Sequence, residues 1–102
     1  MRYIIGDVLK DLSRKMVLIG GPRQVGKTTL AKHILAENFP KGLYLNWDFD
    51  DDRRVILDRK WTRDVPLVVL DEIHKYRPWK AWLKGLYDVW GESQRYLVTG
   101  SA

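Results

Sequence analysis

Apolar positions along the chain follow two rhythms. Short apolar runs occur at Met16-Val17-Leu18-Ile19, Leu43-Tyr44-Leu45-Asn46-Trp47 and Leu67-Val68-Val69-Leu70, and in Arg95-Tyr96-Leu97-Val98-Thr99-Gly100-Ser101-Ala102, a final strand running into a polar tip. Each is of strand length, and four consecutive apolar residues suit a strand covered on both faces. Between the runs the spacing changes to that of a helical face. Ile5, Val8, Leu9 and Leu12 predict a helix over about 7–14, with Asp7 as N-cap, packed on the sheet. Leu30, Ala31, Ile34 and Leu35 form the buried stripe of a helix read from Thr29 to Leu35, with His33 off the stripe. Asn38 and Pro40 stop it. Pro78 opens the last helix, with Trp79, Trp82, Leu83, Leu86, Tyr87 and Trp90 as its core stripe and Gly91 as its end. Strands alternating with helices make this an α/β chain.

One run between these elements is polar. Asp48-Phe49-Asp50-Asp51-Asp52 precedes Arg53-Arg54-Val55-Ile56-Leu57. Carboxylates there serve as the N-cap and first turn of a helix, where they complement its dipole; a metal cluster is the other reading. Residues 61–66 are a connector, and Pro66 is tolerated at the start of a strand.

The first strand leads straight into candidate chemistry. Gly21, Pro22, Arg23, Gln24, Val25, Gly26, Lys27 and Thr28, followed by Thr29, complete the pattern G-x-x-x-x-G-K-[ST] between a strand and a helix. That context is what gives the motif its meaning. Gly21 and Gly26 allow backbone angles that turn successive N–H groups toward an anion. The helix beginning near Lys27 adds unpaired N–H groups and a positive dipole end. Lys27 reaches β- and γ-phosphates, and the Thr28 hydroxyl joins a Mg²⁺ shell. These residues predict a nucleotide site with ATP and Mg²⁺.

A second motif supports the first. Asp71 and Glu72 close the apolar run that begins at Leu67, about 44 residues after Lys27. The carboxyl end of a strand is where ligands bind in open α/β sheets. An aspartate there holds the water shell of the metal, and a neighbouring glutamate polarises the attacking water.

Composition narrows the function class. The chain has 102 residues, 45% of them apolar, enough for a single domain spanning 1–102. There is no cysteine, which excludes disulfides and thiolate metal sites. His33 and His74 are the only histidines, too few for a histidine-rich metal centre. No apolar stretch reaches membrane-spanning length and no signal-peptide core opens the chain, so a soluble, cytoplasmic protein with no membrane role is expected. The net charge is +5. Arg53, Arg54, Arg59, Lys60 and Arg63 lie in one region and Lys75, Arg77, Lys80 and Lys84 in another. A solvated face accounts for them; a nucleic-acid partner is the alternative. Likewise Trp79 and Trp82 read as core, with a base-stacking platform as the alternative.

Gly21-Pro22-Arg23-Gln24-Val25-Gly26-Lys27-Thr28-Thr29, Leu70-Asp71-Glu72-Ile73-His74-Lys75 and Leu97-Val98-Thr99-Gly100-Ser101 together resemble the prokaryotic AAA-type ATPases of the ASCE P-loop class. The resemblance covers nearly the whole chain, with the motifs in family order. It implies a three-layer P-loop NTPase fold with a parallel sheet ordered 5-1-4-3-2. It also implies that Thr99 holds the sensor-1 position, with Ser101 as second candidate. Catalytic roles then fall to Glu72, Lys27 and Thr99, and metal binding to Thr28 and Asp71. The fifth strand, helical lid, arginine finger and second sensor of the family have no counterpart in these residues. An arginine finger is worth on the order of 10³–10⁵ in rate, so slow ATP hydrolysis is expected.

Three functions fit these residues: an ATPase core, an ATP-dependent switch without significant turnover, and a nucleic-acid-binding module. In the implied strand order the first strand becomes an edge, which invites self-association. Tyr3-Ile4-Ile5 folding over that edge is the competing outcome.

Overall fold

A computed structural model of the chain describes residues 17–19, 26–90 and 94–99, with side chains at 28–90 and 94–99. Four strands form one parallel sheet: β1 (Val17–Ile19), β2 (Leu43–Asn46), β3 (Leu67–Asp71) and β4 (Arg95–Thr99). Their spatial order is β1-β4-β3-β2, the expected order for strands 1 to 4 of a P-loop NTPase-like α/β fold. Three helices cross between them: α1 (Gly26–Asn38), α2 (Asp50–Asp58) and α3 (Trp79–Trp90). A 3₁₀ turn at Ile73–Lys75 follows β3 and was not anticipated. The expected helix over 7–14, the segment Tyr3 to Ile5, Gly91 and the chain after Thr99 lie outside the described residues. Among the described strands β1 and β2 are the edges.

Period-two alternation sorts the strand residues into two cores. Leu67, Val69 and Leu97 pack with Leu30, Ala31 and Ile34 of α1. Val68, Leu70, Tyr96, Val98 and Leu45 face the other way, toward Ile56, Trp61, Ile73, Leu83 and Leu86. The stripe read for α1 is therefore the one it buries, although Leu35 is only partly covered.

Two local expectations change. The acidic run does supply the first turn of α2, but the N-cap position is Phe49 and no side chain caps it. The flanking carboxylates have other partners: Asp48 takes Lys75, and Asp52 Oδ2 accepts the Asn46 N–H at 3.0 Å. In α3, Leu83 and Leu86 are buried and Trp79, Trp82 and Trp90 are partly buried against the core, but Tyr87 is 38% exposed. It stands about 100° past Leu86 around the helix, which carries it off a stripe centred between Leu83 and Leu86.

The basic residues interleave with the tryptophans for an internal reason. Arg53 covers the Trp47 ring at 5.3 Å, Arg59 covers Trp82 at 5.4 Å, Arg63 covers Trp90 at 5.4 Å and Lys80 covers Trp79 at 5.5 Å. Each cation gains from the ring quadrupole while its stem shields apolar surface.

Candidate functional site

The alternation that builds the α1 core also builds the site. Asp71 continues the parity of Leu67 and Val69, and Thr99 that of Leu97, so both stand on the α1 side at the carboxyl ends of their strands. Tyr44, packed on the same core, and Asn46 share that parity on β2. At its carboxyl ends the face thus turns from apolar to polar. Gly26, Lys27 and Thr28 open α1 over this edge, while Gly21, Pro22, Arg23, Gln24 and Val25 lie outside the described residues.

Asp71 is the centre of the arrangement, 1% exposed. Its Oδ2 accepts the Thr28 hydroxyl at 2.8 Å and the Tyr44 hydroxyl at 2.5 Å. Its Oδ1 accepts the hydroxyl of Thr99, itself 1% exposed. A buried carboxylate without partners is costly, and hydrogen bonds to a charged acceptor contribute about 1.5–3 kcal/mol each. Hydroxyls supply all three of these bonds. Burial and then the bond to Asp71 hold the Tyr44 phenol well above the ordinary tyrosine range, so it stays a donor. Its oxygen in turn accepts Asn46 Nδ2 at 3.2 Å.

Glu72 lies on the far side of a backbone reversal. Its φ of 62° is left-handed, a conformation costing about 1–2 kcal/mol for a residue with a Cβ. Its N–H still donates to Thr99 O at 3.1 Å, extending the ladder by one bond. The carboxylate sits beside the 3₁₀ turn, with Oε2 3.2 Å from Lys75 Nζ and 3.7 Å from His74 Nε2. Neither contact has hydrogen-bond geometry, so the buried Oε2 has an ion-pair neighbour and no bonded donor. Lys75 spends its bonds on Asp48, at 2.8 and 2.9 Å, and that bond more than any other raises its pKa.

Of the residues singled out from the sequence, Thr28, Asp71 and Thr99 converge on one carboxylate. Glu72 is adjacent along the chain but engages Lys75. Thr29 lies in α1 as an exposed residue, and Ser101 is outside the described residues. Tyr44, Asn46, Asp48 and Lys75 were missed. For Tyr44 and Asn46 the signal was present, because a strand reading Leu-Tyr-Leu-Asn puts both polar tips on one face.

The donor set suits a hard cation. Thr28 and Asp71 offer oxygen only, one neutral and one charged, which fits Mg²⁺ and not a thiophilic metal. No helix among the described residues is long and apolar enough to cross a membrane. A model of the AAA domain family matches residues 13–102. No curated protein matches the chain.

Proposed function

The chain belongs to the AAA domain family, and on that premise we propose that it binds ATP with Mg²⁺ and hydrolyses it slowly. The observation that carries this reading is the 2.8 Å bond from Thr28 to Asp71, 43 residues apart. It joins the helix that begins in the phosphate-loop motif to the carboxylate at the end of β3. The loop amides of Gly21 to Thr29, with Lys27, hold the phosphates. Thr28 and Asp71 would hold the metal, whose bound charge offsets that developing on the phosphates. Glu72 orients and deprotonates the attacking water, and Thr99 keeps Asp71 in place as the sensor-1 residue.

Slow turnover follows from the setting of Glu72. A carboxylate drawn to Lys75 must leave that cation before it can take a proton from water. The same contact favours a second reading, an ATP-dependent switch with little turnover.

One experiment serves both. Melting is followed with and without ATP–Mg²⁺ in the parent, in Lys27→Ala and in Glu72→Gln, with phosphate release measured alongside. Nucleotide at 100 times its dissociation constant should stabilise the parent by about 2.7 kcal/mol. Glu72→Gln should keep that shift and lose phosphate release, while Lys27→Ala loses the shift. No shift in the parent, or an equal one in Lys27→Ala, rejects nucleotide binding through this loop. Shifts without multiple turnovers in the parent leave the switch.

A further inference from the structure

The carboxylate of Asp71 has about four lone-pair positions, and three are occupied. Oδ2 receives both Thr28 and Tyr44, so it is filled; Oδ1 receives Thr99 alone and keeps one position. The oxygen with spare capacity toward a metal-bound water is therefore Oδ1, and the tyrosine is what makes the difference. Without its hydroxyl the two oxygens would have one donor each.

Tyr44 is itself held from several sides. Its ring packs against the core under α1 and carries the Lys32 ammonium 5.0 Å from its centroid. Its oxygen accepts Asn46 Nδ2 while donating to Asp71. Parallel pairing places Tyr44 opposite Val69 and Asn46 opposite Asp71, so the phenol reaches along the strand direction to the neighbouring carboxylate. A ring clamped by a helix lysine, a strand amide and a packed core is a stiff strut rather than an incidental contact.

We infer that Tyr44 is a positioning residue for the metal: its hydroxyl occupies Asp71 Oδ2 and commits Oδ1 to the metal-bound water. This rests on the ATP–Mg²⁺ reading above. Partners that orient a metal-holding carboxylate typically change metal affinity by tenfold or more when removed. Tyr44 touches neither nucleotide nor water in this role and acts through Asp71 alone. Its loss should therefore show in the coupling between metal and nucleotide, not in nucleotide binding without metal.

The test is calorimetric titration of the full chain with a non-hydrolysable ATP analogue, once in EDTA and once at saturating Mg²⁺. The ratio of the two affinities is the coupling. Tyr44→Phe deletes only the hydroxyl and should lower that ratio by about tenfold, leaving the EDTA affinity within about twofold. Tyr44→Leu removes the ring as well and should give the same fall in coupling despite a lower melting temperature. Coupling that stays at the parent value in Tyr44→Phe, or rises, overturns the inference. So does a fall in Tyr44→Leu alone, which would make the ring's packing the cause. A parent that binds the analogue equally with and without Mg²⁺, or not at all, rejects the ATP–Mg²⁺ reading itself and this role with it.

Discussion

The face of the sheet under α1 and the face under α2 and α3 use alternate residues of the same strands, yet they are built for different ends. The α2 and α3 face is broad and aromatic. Trp61 and Trp90 meet edge to face at 6.2 Å, and Trp47 lies on Tyr76 at 4.7 Å. Buried aromatic surface of this kind is a major source of stability in a small domain. The α1 face is narrow, with fully buried Ala31 at the helix contact. A small residue lets a helix pack close to a sheet, and Thr28 near the start of this one bonds Asp71 at 2.8 Å. One face secures the strands; the other uses their secured ends. Polar groups follow the same division. On the aromatic face the neutral Gln94 amide gathers Trp61, Tyr96 and two carbonyls, and on the α1 face hydroxyls converge on a charge.

The strongest way to break this division is through Gln94. It is 5% exposed and fully engaged: Nε2 donates to Thr62 O and Val65 O at 2.9 Å each, while Oε1 accepts Trp61 Nε1 at 2.8 Å and Tyr96 OH at 3.0 Å. Gln94→Ala leaves four polar groups to find other partners. Each unsatisfied buried group costs about 1–3 kcal/mol, and water will recover part of that, so a loss of about 3–5 kcal/mol is expected in denaturant melts. Analogue affinity measured below the melting range should stay near the parent value. If it fell as far as in Lys27→Ala, the faces would not be separable in this way.

Gly42 sharpens the comparison from the other side. It lies where the end of α1 meets β2, its N–H donating to Phe39 O at 2.8 Å. A Cβ there would come within 2.4 Å of Leu35 Cδ2, 2.9 Å of Leu67 O and 3.0 Å of Phe39 O. The leucine tip can swing aside, but the two carbonyls belong to backbone that cannot. Gly42→Ala should cost about 1–3 kcal/mol, the usual range for overpacking. Because it wedges α1 away from the sheet, it should also weaken Mg²⁺-dependent binding. A cost below about 0.5 kcal/mol would mean that α1 is not held as tightly as its small residues imply.

Most of the described framework was legible in the sequence, because strand length and helical stripe are local properties. Leu67 to Asp71 is the clearest case, where an apolar run ending in a carboxylate gave both the element and the group on which Thr28 and Thr99 converge. What was lost depended on pairing across distance. The alternation put Tyr44 and Asn46 on one face, but their partner Asp71 shows only once β2 is set beside β3. Gln94 reads as a loop residue until Trp61 and Tyr96 close around it. The acidic run was half legible: its three aspartates do form the first turn of α2, whereas the cap position falls to Phe49 and Asp48 is drawn to Lys75 across 27 residues. Glu72 was assigned from adjacency to Asp71. Its left-handed backbone and its contact with Lys75 have no signature in a non-glycine residue.

The smallest effect at neutral pH, and the one most specific to the aromatic face, belongs to Tyr96. It is fully buried, and that burial pushes its phenol up from the ordinary 10.0 to about 12, against the opposing pull of Arg59 and Arg63. The folded state therefore keeps this proton over a pH range in which the unfolded chain has released it. The stabilisation is fully present below pH 10 and is lost as pH rises through about 12. A two-unit shift corresponds to on the order of 2–3 kcal/mol by the top of that window. Tyr96→Phe has no phenol to protect. It should lose about 1 kcal/mol at neutral pH, for the bond to Gln94, and its stability should then fall more gently between pH 10 and 12 by about one proton's slope. Denaturant melts of parent and variant across that range, with phenolate absorbance recorded in parallel, decide the matter. Equal slopes in the two proteins would mean that Tyr96 ionises in place, with water already admitted to the aromatic core.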